Sequence, residues 1–343
     1  MGGFSGMLAG LMAAAFGMVA VSLSDPALAL DKVTFGTNWK AQAEHGGYYQ
    51  AVADGTYAKH GLDVTIRQGG PQVNHAQLLA AGKIDFNMGG SLFGQFNYTQ
   101  NNIPMVTIAA IFQKEPQVLL AHPDAGISEM ADLDDRTLFI SGDGLQTYWL
   151  WLKQVYGLSD DQVRPYTFNP APFLADSNSV QQGYVTSEPY AIRQQGGFDP
   201  VVLMMADYGY DTYSTTIETS QKLVDENPDL VQRFVDASIE GWYNYLYGDN
   251  AKANELIKTD NPDITDDQIA FSIAALKKYG IVDSGDATTM GIGAMTSARL
   301  ESFFAKAVIW GVYPVGMPYQ SGFVTKFVNH GHGLDLKKKL TGS

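Results

Sequence analysis

The side chains best suited to chemistry in this sequence sit just past short apolar runs. Asn38 and Trp39 follow Val33-Thr34-Phe35-Gly36. An indole offers a flat apolar face and a single N–H, a natural platform for a planar ligand. Glu188 stands before Pro189; a carboxylate there accepts hydrogen bonds from an amine or ring N–H, and it also suits a helix-opening acid. Asp207, Tyr208 and Tyr210 form a polar-aromatic turn after the run 201–205, fit for stacking or for hinge packing. Ser91 follows Gly89-Gly90, and Ser141 precedes Gly142-Asp143-Gly144. Both serines open expected helices, where free backbone N–H groups accept an anion or carbonyl; each is equally suited to a plain N-cap. Gln113, after the run ending at Phe112, and Tyr48, on the first helix, complete the candidate binding set. For Tyr48 a core position competes.

Several chemistries are closed off. The chain has no cysteine, which excludes disulfides, thiolate catalysis and Cys-ligated metals. The six histidines show no helical metal spacing, and His330-Gly331-His332 reads as a surface loop. Asp260-Asn261-Pro262-Asp263 with Asp266-Asp267 lacks the glycine and terminal Glu of a calcium loop. The Gly142-Asp143-Gly144 turn lacks the third glycine of a dinucleotide site, and no Gly-x-Ser-x-Gly elbow occurs. No catalytic residue, metal or cofactor is expected. Near the candidate loops the basic residues are Lys40, Arg67 and Lys114, with none in 141–144, 169–172 or 207–210. A sulfonate or nitrate site calls for a placed cation or several N–H donors. Aromatics beside Glu188 and Asp207 favour a neutral or cationic planar ligand, although helix N-termini can hold anions on their own.

The elements that must carry these residues alternate. Strands are expected at 33–36, 62–67, 84–88, 105–112 and 117–122, with helices at 47–59, 73–81 and 92–101 between them. A second α/β run follows, with strands at 137–141, 163–168, 183–187 and 201–205 and a helix at 146–156. After Thr215 the strand signal fades. Helices are expected at 221–226, 230–247, 251–258, 265–279 and 289–310, punctuated by Asn227-Pro228, Gly248-Asp249, Asn261-Pro262 and Gly280. The βαβα rhythm implies mainly parallel sheets with helices on both faces. Two α/β units with a helical C-terminal tail suggest that the second is inserted in the first, two crossover strands serving as hinges around a ligand cleft. Ligands sit at the carboxyl ends of strands in such sheets.

At 343 residues, 45% hydrophobic and 12% aromatic, the chain can build two domains with substantial cores. Its net charge of −14, from 36 acidic and 22 basic residues, repels nucleic acid and anionic lipid. Residues 7–21 are an uncharged apolar run, and Ala27-Leu28-Ala29 is a small-x-small pattern. Residues 1–29 are therefore expected to be a signal peptide cleaved after Ala29; its first six residues lack Lys and Arg, so a retained anchor competes. Without a cysteine a lipoprotein anchor is ruled out, and an unlipidated periplasmic protein is expected.

The loops also carry a family likeness. Thr37-Asn38-Trp39, His45-Gly46-Gly47-Tyr48-Tyr49, Gly61-Leu62-Asp63-Val64 and Gly82-Lys83-Ile84-Asp85-Phe86 match its opening pattern. Gly183-Tyr184-Val185-Thr186-Ser187-Glu188-Pro189 matches its second-domain signature, and 225–231 with 237–245 its helical tail. The chain resembles the periplasmic substrate-binding proteins of ABC importers, in the NMT1/THI5-like group of thiamine-pyrimidine, sulfonate, taurine and nitrate binders. The resemblance implies a type II periplasmic binding fold, with lobe 1 formed by 30–116 and 211–343 and lobe 2 by 117–210. It implies a monomer that performs no catalysis and delivers a small molecule to a membrane permease with its ATPase. Asn38-Trp39 and Asp207-Tyr208-Gly209-Tyr210 look closest to pyrimidine-precursor or riboflavin binders. A sulfonate, taurine or nitrate ligand is the alternative. Pyrimidine synthases sharing the fold carry a cysteine-rich motif that this chain cannot supply.

Overall fold

The computed structural model describes residues 1–3, 29–70 and 73–342. Most of the expected signal peptide, residues 4–28, lies outside the described residues. Among the described residues no helix is long and apolar enough to cross a membrane.

Two five-stranded sheets organise the chain. The first contains β1 (Asp31–Gly36), β2 (Leu62–Arg67), β3 (Phe86–Ser91), β4 (Met105–Phe112) and β10 (Ser214–Ser220), in the order β2-β1-β3-β10-β4. The second contains β5 (Gln117–Ala121), β6 (Thr137–Ile140), β7 (Val163–Pro165), β8 (Ser179–Tyr184) and β9 (Val201–Met204), in the order β7-β6-β8-β5-β9. Helices pack around each sheet, giving an α/β protein of two lobes. The chain crosses between sheets twice, from β4 to β5 and from β9 to β10.

Both sheets are mixed rather than mainly parallel. β10 runs antiparallel to both β3 and β4, and β5 antiparallel to both β8 and β9. Each returning crossover inserts one reversed strand. β10 escaped the sequence reading because Ser-Thr-Thr-Ile-Glu-Thr-Ser holds a single aliphatic residue. Six of its seven positions are nevertheless buried. Two of its polar side chains are satisfied by neighbouring strands and loops: Asn87 Nδ2 of β3 donates to Glu218 Oε2 at 2.8 Å, and Thr219 Oγ1 donates to Asp85 O at 2.7 Å. By contrast β4, buried at every position, is a continuous apolar run of the kind a central strand requires.

The expected helix 47–59 is two, Gly46–Ala53 and Thr56–Lys59, broken at Gly55, whose φ is +73°. Gly46 and Gly47 serve packing rather than a turn. A Cβ on Gly47 would stand 2.2 Å from Trp242 Cγ on helix Pro228–Tyr247. The two helix backbones approach so closely that only glycine fits. The expected 289–310 helix is likewise split into Ala287–Met290 and Ser297–Ile309.

The C-terminal helices touch both lobes. Ser272 Oγ, on helix Asp266–Lys278, donates to Thr186 O beyond β8 at 2.7 Å. Phe303, on helix Ser297–Ile309, packs against Phe93 near β3 and against Tyr210 on the returning crossover, with ring centroids 5.4 and 5.5 Å away.

Candidate functional site

A cleft of about 460 Å³ opens between the lobes. From the first lobe it takes the loop after β1, the loop before helix His75–Ala80, and the end of β3. From the second it takes the loop after β6, the segment after β7, and the end of β8. These are the carboxyl ends of strands, where a doubly wound sheet leaves a crevice.

Asn38, Trp39, Ser141 and Glu188 line the cleft. The loop carrying Trp39 is pinned on both sides. Thr37 Oγ1 donates to Trp39 O at 2.9 Å, and Gly69 N donates to the same oxygen at 3.0 Å. His75 Nδ1 donates to Thr37 O at 2.9 Å. Asn38 Oδ1 lies 3.1 Å from His45 Nε2. Burial pulls His45 down to about 3, so the ring is neutral, and Nε2 carries the proton because Oδ1 can only accept.

Glu188 opens helix Glu188–Gly196. Its Oε2 accepts from Tyr184 N at 2.7 Å and its Oε1 from Tyr166 Oη at 3.3 Å. Burial outweighs those bonds and pushes the carboxyl up to about 7. Asp143 is open to the cleft, facing Gly90 of the other lobe, and its carboxylate has no side-chain partner among the described residues. The surrounding protein raises its carboxyl too, through desolvation. Behind β3, Glu218 is pushed up to about 7, first by burial and then by Asp143. No Lys or Arg occurs among the described lining residues.

At the two helix starts considered as anion sites, the serines and one helical N–H each are engaged by the protein. Ser141 Oγ accepts from Gly144 N at 3.2 Å, and Ser141 N donates to Gln182 Oε1 at 2.5 Å. Ser91 is buried, its hydroxyl 2.9 Å from Tyr210 Oη, while Leu92 N donates to Thr212 Oγ1 at 3.2 Å.

The other candidates lie elsewhere. Tyr48 is fully buried in the core, its ring 4.3 Å from Phe35 and edge-on to Trp242 at 5.9 Å; the helix stripe drew it inward. Tyr210 is buried between Phe93 and Trp151. Tyr208 packs on the same aromatic cluster. Gln113 is buried and donates to Ala110 O and Ala294 O, both at 2.9 Å. Asp207 pairs with Lys114 at 3.0 Å, tying the two crossovers together. These residues build the hinge region and the core rather than the cleft wall.

Residues that the sequence reading did not single out fill their places. Tyr166 and Phe168 come from the segment after β7, and Tyr184 and Gln182 from β8. Phe168 lies against Trp39 with ring centroids 3.4 Å apart and planes 32° from parallel. The available signal was topological. Tyr166 and Phe168 fall at the carboxyl end of a predicted strand, as Trp39 does.

Two α/β lobes, two crossovers and an intervening cleft define the periplasmic-binding-protein fold. The periplasmic aliphatic sulphonate binding protein SsuA from Escherichia coli shares it, with a TM-score of 0.63 over 86% of this chain and 92% of that one, at 14% identity. The chain belongs to the NMT1/THI5-like family, whose model matches residues 42–253. The riboflavin-binding protein RibY from Chloroflexus aurantiacus is 26% identical over 223 residues, 62% of each chain. The 4-amino-5-hydroxymethyl-2-methylpyrimidine phosphate synthase of Aspergillus parasiticus is 24% identical over 102 residues, 30% of each chain. The chain therefore spans less than two thirds of the length of these curated relatives.

Proposed function

We propose that this protein is an exported periplasmic receptor that binds a small planar heteroaromatic solute, neutral or cationic, and delivers it to the permease and ATPase of an ABC importer. The observation carrying this reading is the composition of the cleft. Trp39 and Tyr166 line the cleft beside the carboxyls of Asp143 and Glu188, with no lysine or arginine among the described lining residues. A sulfonate or nitrate would enter a site with two carboxyls and no cation among the described lining residues, where ionisation of either carboxyl repels it. A flat ring bearing N–H or amino donors meets the opposite: stacking surfaces and acceptors. A cleft of this size lies within the range of small-molecule sites.

A pyrimidine-precursor or riboflavin-like ligand fits this chemistry, and RibY by its name binds riboflavin. The binding role is favoured over an enzymatic one because a cysteine-dependent synthase would have no thiol to use. Lobe 1 is assigned 30–116 and 211–343, and lobe 2 residues 117–210. The unit is a monomer with no nucleic-acid partner.

Native mass spectrometry and thermal-shift titration of the mature protein with riboflavin, 4-aminopyrimidine, taurine and nitrate test the reading. A flat compound should raise the melting temperature in a saturable way. Stabilisation by taurine or nitrate alone would overturn the ligand class. Chemical alteration of a bound compound during incubation would overturn the receptor role.

A further inference from the structure

One contact in the cleft joins the lobes through their aromatic residues. Trp39 belongs to the loop after β1, and Phe168 to the segment after β7 in the other sheet. Their rings lie in direct contact, centroids 3.4 Å apart and planes tilted 32°. No atom fits between rings so placed. Tyr166 backs Phe168 at 4.7 Å, and Tyr166 is in turn held by Glu188.

The backbone at Phe168 is unusual. Its φ of +62° lies in the left-handed region, which bulky side chains rarely adopt and which costs free energy unless surrounding contacts hold it. Phe168 lies in neither helix nor strand and is only partly buried, so no ladder or core locks it there. The ring contacts with Trp39 and Tyr166 help offset the strain of this turn.

We infer that Phe168 is the gate of the cleft, its ring covering the face of Trp39 that a flat ligand must take. The gate also selects. A planar ligand replaces the lost ring contact with one of its own, whereas an aliphatic solute cannot. This inference rests on the planar-ligand reading for its selectivity, but the covering of Trp39 is independent of it.

Two measurements on the mature protein test the gate. The first is acrylamide quenching of Trp39 in the absence of ligand, obtained as the difference between each protein and its Trp39→Phe counterpart. Such a difference is needed because the chain holds five tryptophans. Phe168→Ala and Phe168→Gly should both raise Trp39 quenching toward that of a free indole, while Phe168→Tyr should leave it as in the wild type. Glycine tolerates the left-handed turn without strain, so Phe168→Gly guards against misfolding. Unchanged quenching in Phe168→Ala and Phe168→Gly overturns the gate.

The second is titration with riboflavin. Phe168→Ala should bind it about two- to tenfold more tightly than the wild type, the range expected for removing one competing ring contact. Weaker or equal binding would make Phe168 a wall of the site and overturn the gate. If the wild type and all variants ignore riboflavin and 4-aminopyrimidine alike, the planar-ligand reading fails, and the quenching result alone decides the gate.

Discussion

Replacing Glu44 by glutamine should stabilise the protein at pH 8 and have a much smaller effect near pH 5. Glu44 stands in the short helical turn Ala43–His45 after β1 and is 1% exposed. Thr186, beyond β8 in the other lobe, donates its hydroxyl to Glu44 Oε1. Oε2 has no partner among the described residues. Tyr184, Glu188 and Tyr245 are the titratable groups that feel this carboxyl, and no cation offsets it. Burial, far more than the nearby Glu188, pushes it from 4.5 up to about 7. The folded state then holds a proton that the unfolded chain releases above its own lower value. Stability contributed by this group therefore falls as pH rises between about 4.5 and about 7, and stays low above that. At about 1.4 kcal/mol per pH unit the full displacement corresponds to roughly 3 kcal/mol, and relaxation around the ionised group reduces this to about 1–3 kcal/mol. Glutamine keeps the oxygen that accepts from Thr186 and carries no charge at any pH. Urea unfolding of wild type and Glu44→Gln at pH 5 and pH 8 gives the difference directly, because Glu115, Glu188 and Glu218, also raised by burial, are common to both proteins. An equal stability difference at the two pH values would refute the reasoning.

Two further outcomes are expected. Trp39→Ala should weaken a planar ligand by about 0.5–1.5 kcal/mol or more by calorimetry and leave any binding of a small anion unaltered; equal losses for both would reject stacking. Gly47→Ala should lower stability by about 1–3 kcal/mol, because its new methyl would stand 2.2 Å from Trp242 Cγ; an unchanged melting temperature would show that the two helices part at no cost.

The carboxyls along this seam are a consistent group. Glu115 sits just before β5, on the first crossover, and burial pushes it up to about 8. Glu188 and Asp143 face the cleft, and Glu218 lies behind β3. Buried without a salt-bridge partner, these acids cost stability as they ionise. A ligand donating N–H groups, or carrying positive charge, offsets that cost. The wild-type protein should therefore show its largest ligand-induced stabilisation where these groups begin to ionise.

Local pattern sufficed for much of the architecture. Periodicity placed β4 at 105–112 and the helix at 221–226 as they stand, and the alternation of strands and helices announced two α/β units. The Asn38-Trp39 loop was legible because it follows a strand end, and Glu188 because the residue after it is a proline. The absence of cysteine closed off thiolate chemistry, disulfides and Cys-ligated metals before any fold was known. β10 was not legible: its burial comes from neighbours on both edges, and its Glu218 is bonded there by Asn87 opposite and by Tyr98. For Tyr48 and Tyr210 the sequence left cleft and core or hinge packing open, because a tyrosine on a helix stripe or a turn reads the same either way; the structure buries both. The strand end marked the position of Phe168, but its contact with Trp39 became visible only once two loops, 129 positions apart in number, met across the lobes. Sequence acts through local propensity and the order of elements, so it could say that a cleft exists and what chemistry it avoids. Which rings line that cleft depends on how the two sheets are set against each other, and that is decided by long-range packing.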